Sequence, residues 1–260
     1  MQKKVVLCCS YPKSGRSWLR FILAHYINNL YQLEMDINFN SLFQICPNNG
    51  PDPQRGLPAY RFEQQNQIPL FLFDHGQFHP SYQQAPIIFI IRGLLDTLVS
   101  KYFQDTQRIQ CFRGTMSDYL CSPHGLARLI SYLNNWSQNL QNTHHIVISY
   151  ELMHQNIHQL IYSVLDEMLP EKPNETLLNQ AIENSTFSKM KNIEMKSGFP
   201  NQQINIDKNN PNALRARKGK VNGYHEHLSQ SDIDYVNDYS EKHLNISAKK
   251  LLKDYCEIDS

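Results

Sequence analysis

The chain has 260 residues, 41% of them hydrophobic and 19% charged, and 24 Asn with 21 Gln make up much of the polar remainder; this composition folds and suffices for one large α/β domain over residues 1–260. Lys plus Arg number 25 against 24 Asp plus Glu, a net charge of +1, so no global field drives nucleic-acid or membrane-surface binding and any anion site has to be a local cluster. Six cysteines, Cys8, Cys9, Cys46, Cys111, Cys121 and Cys256, show neither CxxC spacing nor a dense framework and read as reduced thiols.

Lys3 and Lys4 precede only a short apolar run at 5–9 before Ser10, Tyr11 and Pro12, too little for a signal-peptide core. No later run approaches the roughly 20 apolar residues that span a bilayer. The expectation is a cytoplasmic protein without a transmembrane segment.

The run at 5–9 predicts a strand ended by Tyr-Pro, and Leu19, Ile22, Leu23, Tyr26, Ile27 and Leu30 then recur at helical spacing. Residues 38–67 carry Pro47, Pro51, Pro53 and Pro58 with Gly50 and Gly56, the chemistry of an irregular excursion. Apolar runs at 70–73 and 87–91 predict two more strands. The second leads through Arg92 and Gly93 into the helical spacing of Leu94, Leu95, Leu98, Val99, Tyr102 and Phe103. Leu126, Leu129, Ile130, Leu133, Trp136 and Leu140 form another helical stripe. The run at 146–148 follows, then a stripe from Ile157 to Met168. Residues 196–223 read as a loop with a basic cluster, ahead of a last helical pattern through Ile233, Val236, Tyr239 and His243. Continuous apolar strands separated by helices predict a three-layer α/β fold, a central, mostly parallel sheet flanked by helices.

After the first strand comes Ser10-Tyr11-Pro12-Lys13-Ser14-Gly15-Arg16-Ser17-Trp18, which supplies a glycine, hydroxyls and two cations at the start of a helix. Unpaired N–H groups and the positive dipole end of that helix bind an anion, and Ser and Lys side chains add charge-assisted hydrogen bonds. The Walker order GxxxxGK[ST] is not met, because Lys13 precedes Gly15, which counts against an ordinary nucleotide triphosphatase.

Tyr-Pro-Lys-Ser-Gly-x-x-Trp resembles the phosphosulfate-binding loop of the cytosolic-type sulfotransferases, which use 3′-phosphoadenosine 5′-phosphosulfate (PAPS) and release adenosine 3′,5′-bisphosphate (PAP). A second signature of that family, Arg at a strand end with Asp four and Ser eight residues later, is met by Arg92, Asp96 and Ser100; a third resembles Arg217-Lys218-Gly219-Lys220-Val221-Asn222-Gly223-Tyr224. Tyr150-Glu151-Leu152 and Ser185-Thr186-Phe187 are weaker echoes, and the ordered set covers residues from about 5 to 228. The resemblance implies a P-loop-like nucleotide-binding architecture working without a metal. It implies that Arg92, Ser100, Arg217, Lys218 and the Gly219 backbone hold the 3′-phosphate. Lys13, Ser14, Gly15, Arg16 and Ser17 would hold the 5′-phosphosulfate, and Trp18, Tyr150, Ser185 and Phe187 would surround the adenine. In catalysis Lys13 would neutralise the leaving oxygen, Ser100 would restrain Lys13, and His75 would serve as general base. His79 is the reserve base, set second because Gly76 and Pro80 mark its surroundings as a loop.

The family's Lys-Thr-His reads Phe73-Asp74-His75, and its Lys-Ser-Gly-Thr-Thr-Trp has Arg16 at the first Thr. The lysine absent at position 73 leaves Arg16 to supply that charge or to contact the 5′-phosphate. Taken singly, Arg92 also reads as a strand-end cation, 215–220 as a solvated basic run, and Trp18, Tyr150 and Phe187 as core aromatics. Three histidine pairs, His75 with His79, His154 with His158 and His225 with His227, lack partners at zinc-site spacing, so no metal site is expected. His154 and His158 read as a solvated helix face, and Asp96 as a brace for the helix after Arg92.

The expected reaction is sulfuryl transfer to a hydroxyl or amine. The acceptor pocket is expected from residues 38–67, 75–84 and 104–120, whose Phe43, Tyr60, Phe62, Phe78, Tyr82, Phe103 and Phe112 suit a small-molecule, lipid or carbohydrate acceptor. Two other classes stay open: a nucleotide-dependent kinase, which predicts magnesium dependence and ATP binding and which the missing Walker order counts against, and a non-catalytic adenosine-bisphosphate-binding module, which predicts binding without turnover.

Overall fold

The structure is a computed structural model that describes residues 3–50, 60–197 and 210–257. Four strands, β1 (Val5–Ser10), β2 (Leu70–Asp74), β3 (Ile87–Ile91) and β4 (His145–Ser149), form one sheet in the order β2-β1-β3-β4, every neighbouring pair parallel. All five residues of β3 are buried. A strand with both faces covered loses the alternation of an exposed one, which is why the continuous apolar runs were readable as parallel strands.

Successive side chains of β1 point to opposite faces and so enter two cores. Val6 and Cys8 join Ile88, Ile90 and the apolar stripe of α1 (Arg16–Leu30) on one side. Leu7 and Cys9 join Ile87, Phe89 and Ile91 on the other, against α5 (Leu126–Leu140) and the C-terminal helices α9 (Gln230–His243) and α10 (Ile246–Cys256). All six cysteines are free thiols.

The chain leaves β1 toward β2 on one side and places β3 on the other. The β1/β3 boundary is thus the topological switch point, where open parallel sheets bind ligands beyond the carboxyl ends of the strands. The turns after β1, β2 and β3 carry Lys13, His75 and Arg92 to that edge, and Tyr150 opens α6 (Tyr150–Met168) directly after β4.

Elements between the expected ones were less visible in sequence. The Pro-rich stretch contains the one-turn helix α2 (Leu42–Ile45); residues 51–59 of it, like 198–209 of the later loop, lie outside the described residues. After α3 (Leu94–Phe103) the chain continues as a π-turn (Gln104–Arg108) and then α4 (Met116–Cys121), started by a reciprocal Thr115–Asp118 capping box. α7 (Glu175–Asn184) and α8 (Phe187–Ser197) follow α6. Among the described residues no helix is long and apolar enough to cross a membrane.

Candidate active site

The loop after β1 turns through two left-handed residues, Lys13 at φ 78° and Gly15 at φ 99°. Such alternation turns successive N–H groups inward and makes a concave anion nest at the first turn of α1. Gly15 is required twice over, because a Cβ there would also meet the Tyr150 ring at 2.8 Å. Gly219, at φ 64°, is equally constrained, since its Cβ would fall 2.4 Å from the Phe187 ring.

A single cavity of about 860 Å³ opens on this nest. Lys13, Gly15, Arg16, Ser17, Trp18, His75, Arg92, Ser100, Tyr150, Phe187, Arg217, Lys218 and Gly219 all line it. Ser14 and Ser185 are buried and are not among the lining residues. The Ser185 hydroxyl and the Trp18 indole N–H are buried without a hydrogen-bond partner, and of the two only Trp18 lines the cavity.

His75 stands at the end of β2 with Nδ1 2.6 Å from the Ser10 carbonyl oxygen. A carbonyl only accepts, so Nδ1 carries the proton and Nε2 keeps its lone pair. Burial, and then the Arg16 guanidinium, hold this imidazole well below its ordinary pKa, which keeps it neutral at physiological pH. The segment behind it is fixed by α5: Trp136 Nε1 donates to the Gly76 carbonyl at 3.0 Å, and Phe78 N–H to Asn135 at 2.7 Å. His79 is exposed, uses Nδ1 to cap the short turn Pro80–Gln84, and does not line the cavity.

Arg92 ties the site together. One guanidinium nitrogen donates to the Lys13 carbonyl at 3.3 Å, another to the Lys220 carbonyl at 2.9 Å, and its plane covers the Tyr150 ring at 4.1 Å. Asp96 lies 3.6 Å from Arg92 and accepts from the N–H groups of Asn222 and Tyr224 at 2.8 and 2.9 Å. It thereby ties the C-terminal loop to the first turn of α3, where it also stands as the acidic residue of that turn. Lys218 is held by Glu226 and by His227 Nε2 at 3.0 Å, and Arg217 reaches the same nitrogen at 3.3 Å while stacking on Phe103.

Burial pushes the Lys13 ammonium down to about 7, with the positive charges of Arg108, Arg215 and Arg92 adding to the effect. A cation held so low among other cations is one that a bound anion would restore.

Several cavity residues escaped the sequence reading. His154 is exposed on its helix, as expected, but it also lines the cavity, with its ring 5.0 Å from Trp18 and 4.6 Å from Tyr150. Arg108 also lines it, and makes a buried ion pair with Glu194 at 2.8 Å; Glu194 further accepts from the N–H groups of Arg215 and Ala216. Only the i, i+4 spacing of Tyr150 and His154 offered a signal for the first; nothing local marks the second, whose partner is 86 residues away. Position 73, where the resembling family has lysine, is a buried Phe packed under the equally buried Arg20. Arg16 lines the cavity and Arg20 does not. None of the seven aromatics expected to shape the acceptor pocket lines it; Phe43 and Phe62 are in the core, and Phe78 packs edge-on against Trp136.

Residues 3–248 match the family described as Sulfotransferase domain. The chain is 25% identical over 198 residues to Sulfotransferase 1E1 of Bos taurus, across 70% of this chain and 64% of that protein, so it spans less than two-thirds of the length of the curated relative it matches. Mouse sulfotransferase SULT7A1 complexed with PAP shares the fold at a TM-score of 0.67 and 18% identity, over 98% of this chain and 88% of that one. Retinol dehydratase in complex with androsterone and inactive cofactor PAP does so at 0.66 and 14%, over 100% and 83%, and its complex with retinol and PAP at 0.67 and 15%, over 100% and 84%. With the family's domain running through nearly every described element, the chain belongs to the sulfotransferase-domain family.

Proposed function

We propose that this chain is a PAPS-dependent sulfotransferase, moving a sulfuryl group to the hydroxyl or amine of a small-molecule, lipid or carbohydrate acceptor by in-line displacement within one domain. The observation that carries this reading is the meeting of Lys13, His75, Arg92 and Arg217 on one cavity. The PAP present in the similar mouse sulfotransferase and retinol dehydratase structures supports the same donor.

The residues fit that donor. The left-handed Lys13 and Gly15 offer the nest its 5′ end needs, and the guanidiniums of Arg92 and Arg217 with Lys218 offer the planar and point charges that single out a 3′-phosphate. Trp18, Tyr150 and Phe187, with His154 beside them, offer ring faces to adenine. PAPS, when bound, supplies the activated sulfuryl group. Lys13 places positive charge where the departing phosphate oxygen becomes negative, and Arg16 and Ser17 orient the same end. His75 Nε2 takes the acceptor's proton as the acceptor oxygen forms its bond to sulfur. Ser100 lines the same cavity, and its role in this reading is to restrain the Lys13 ammonium until the acceptor arrives.

Calorimetry with PAP, ADP and ATP tests the donor. PAP is expected to bind at least about tenfold more tightly than ADP, the worth of one charge-assisted hydrogen bond or more; equal affinities would remove the 3′-phosphate assignment. His75→Ala is expected to abolish the gain of one SO₃ by acceptors in a mixed extract, followed by mass spectrometry, while PAP affinity stays within about twofold. Retained transfer in this variant, with loss in His79→Ala, would reassign the base.

A further inference from the structure

Two cations of the cavity wall converge on a nitrogen that lies behind it. Arg217 Nη1 stands 3.3 Å and Lys218 Nζ 3.0 Å from Nε2 of His227; both cations line the cavity and His227 does not. Neither a guanidinium nor an ammonium can accept a hydrogen bond, so Nε2 accepts from both and the ring proton sits on Nδ1. The imidazole is itself fixed. It meets the Phe103 ring of α3 in a T-shaped contact, centroids 4.9 Å apart, and the Arg217 guanidinium lies over that same ring at 4.2 Å. The His227 N–H donates to the Tyr224 carbonyl at 2.8 Å, closing the short turn that Asp96 anchors through the Tyr224 N–H.

Electrostatics gives this nitrogen its work. Arg217 and Lys218 are neighbours in sequence, and two like charges on long, rotamer-rich side chains spread apart toward water when nothing gathers them. Lys218 also has a partner that draws it outward: Glu226, half of whose side chain is exposed, pairs with it and lies 3.7 Å from Lys220. A carboxylate gathers cations by cancelling their charge and so competes with an incoming anion. A neutral imidazole supplies an acceptor and cancels nothing, so the two cations are held together and keep their full attraction for phosphate. Both also keep N–H donors to spare, and phosphate oxygens make the stronger, charge-assisted bonds with them.

We propose that His227 is a positioning residue for the 3′-phosphate of the donor: its Nε2 lone pair brings Arg217 and Lys218 to one spot of the cavity wall before ligand arrives, with Phe103 as the platform for both rings of contact. The inference rests on the reading of the cavity as a PAPS site and adds to it a residue that acts only through those two cations. Preorganisation lowers the cost of ordering two long side chains on binding, and only a ligand with a group at that spot benefits.

The unaltered protein, His227→Phe and His227→Gln are compared by calorimetry with PAP and with ADP, which lacks the 3′-phosphate. Phe keeps a ring against Phe103 and removes the acceptor, whereas Gln returns a neutral acceptor oxygen that does not titrate. His227→Phe is expected to weaken PAP about tenfold with ADP within about twofold, and His227→Gln to restore most of the PAP affinity. Equal losses for PAP and ADP, the mark of a loosened fold, overturn the proposal. So do PAP affinity unchanged in His227→Phe and a Gln variant as weak as the Phe variant. The tautomer supplies a check on the unaltered protein: in nitrogen spectra of isotope-labelled histidine at pH 8, with His227 assigned from the backbone, the ring proton is expected on Nδ1. A proton on Nε2 overturns the proposal, because that nitrogen then has no lone pair to offer. Failure of PAP to bind the unaltered protein more tightly than ADP would sink the donor reading itself, a different result from any of these.

Discussion

At Lys13 the fold places a cation where its charge is least welcome. Its ammonium is held down to about 7 by burial and by Arg108, Arg215 and Arg92, so at pH 8 it is mostly neutral in the free protein. Phosphate and sulfate oxygens in the nest would favour its charged form and raise its pKa, so binding at that pH must draw a proton from solvent. The 3′-phosphate of PAP is already fully ionised there, and His75 is held well below the ordinary imidazole value, so neither contributes. Calorimetry of PAP binding at pH 8, in two buffers of different ionisation enthalpy, is expected to report an uptake approaching about one proton that disappears in Lys13→Met. Uptake unchanged in the variant would assign the proton elsewhere. The same two groups shape catalysis. The acid limb of kcat/KM, set by protonation of His75, is expected below pH 6.5, and the alkaline limb, set by loss of the Lys13 proton in the free enzyme, is expected to begin near 7.

Between elements, the most consequential tie is one that no local pattern announces. Glu194 on α8 receives Arg108 from the π-turn and the N–H groups of Arg215 and Ala216, which open the strand of chain leading to Arg217, Lys218 and Gly219. Burial alone would raise its pKa, but Arg108 and those N–H groups outweigh burial and hold the carboxyl below its usual range. A depressed carboxyl stabilises the fold above its unfolded value of 4.5 and loses that contribution as pH falls through its folded value. Glu194→Gln leaves the Arg108 guanidinium, 5% exposed, without its counter-charge, a defect worth about 3–5 kcal/mol when a buried pair is broken. The melting temperature is therefore expected to fall. If Glu194 also positions the phosphate-binding segment, the donor KM rises about tenfold or more with kcat within about threefold, since the reacting groups Lys13 and His75 sit on other elements. A lower melting temperature with an unchanged donor KM would limit Glu194 to bracing the fold.

Across the whole molecule, the split between what was readable in sequence and what was not follows the range of the interactions. The strands could be read because both faces of β3 are buried and leave a continuous apolar run. The helices α1, α3 and α5 could be read because their apolar residues recur at helical spacing, although α1 buries the whole run 19–24 and α3 the run 96–99. The nest was readable because its glycine, serines and cations are contiguous. The acceptor wall was not, since Phe43, Phe62 and Phe78 are chemically fit for either a pocket or a core, and only packing decides. Nor were the ties of Arg92 and Asp96 to the C-terminal loop, which join residues 126 to 128 positions apart. Those ties make a mechanical prediction. The segment 210–228 contains only two short 3-10 turns and is held largely by Arg92, Asp96 and Glu194, so its amides should open with less free energy than those of the sheet. A ligand that bridges the nest and the 217–219 turn opposes that opening by mass action, by about 2.7 kcal/mol at a hundred times its Kd. Hydrogen exchange with PAP at that level is expected to slow amides of 210–228 by up to about a hundredfold and those of β3 little, with ADP giving weaker protection because it lacks the 3′-phosphate. Asp96→Asn removes the charge that holds the Asn222 and Tyr224 N–H groups and is expected to speed exchange of 222–224 before ligand is added. Protection spread evenly over sheet and segment, or equal for PAP and ADP, would mean that the two halves of the cavity are not joined through the ligand.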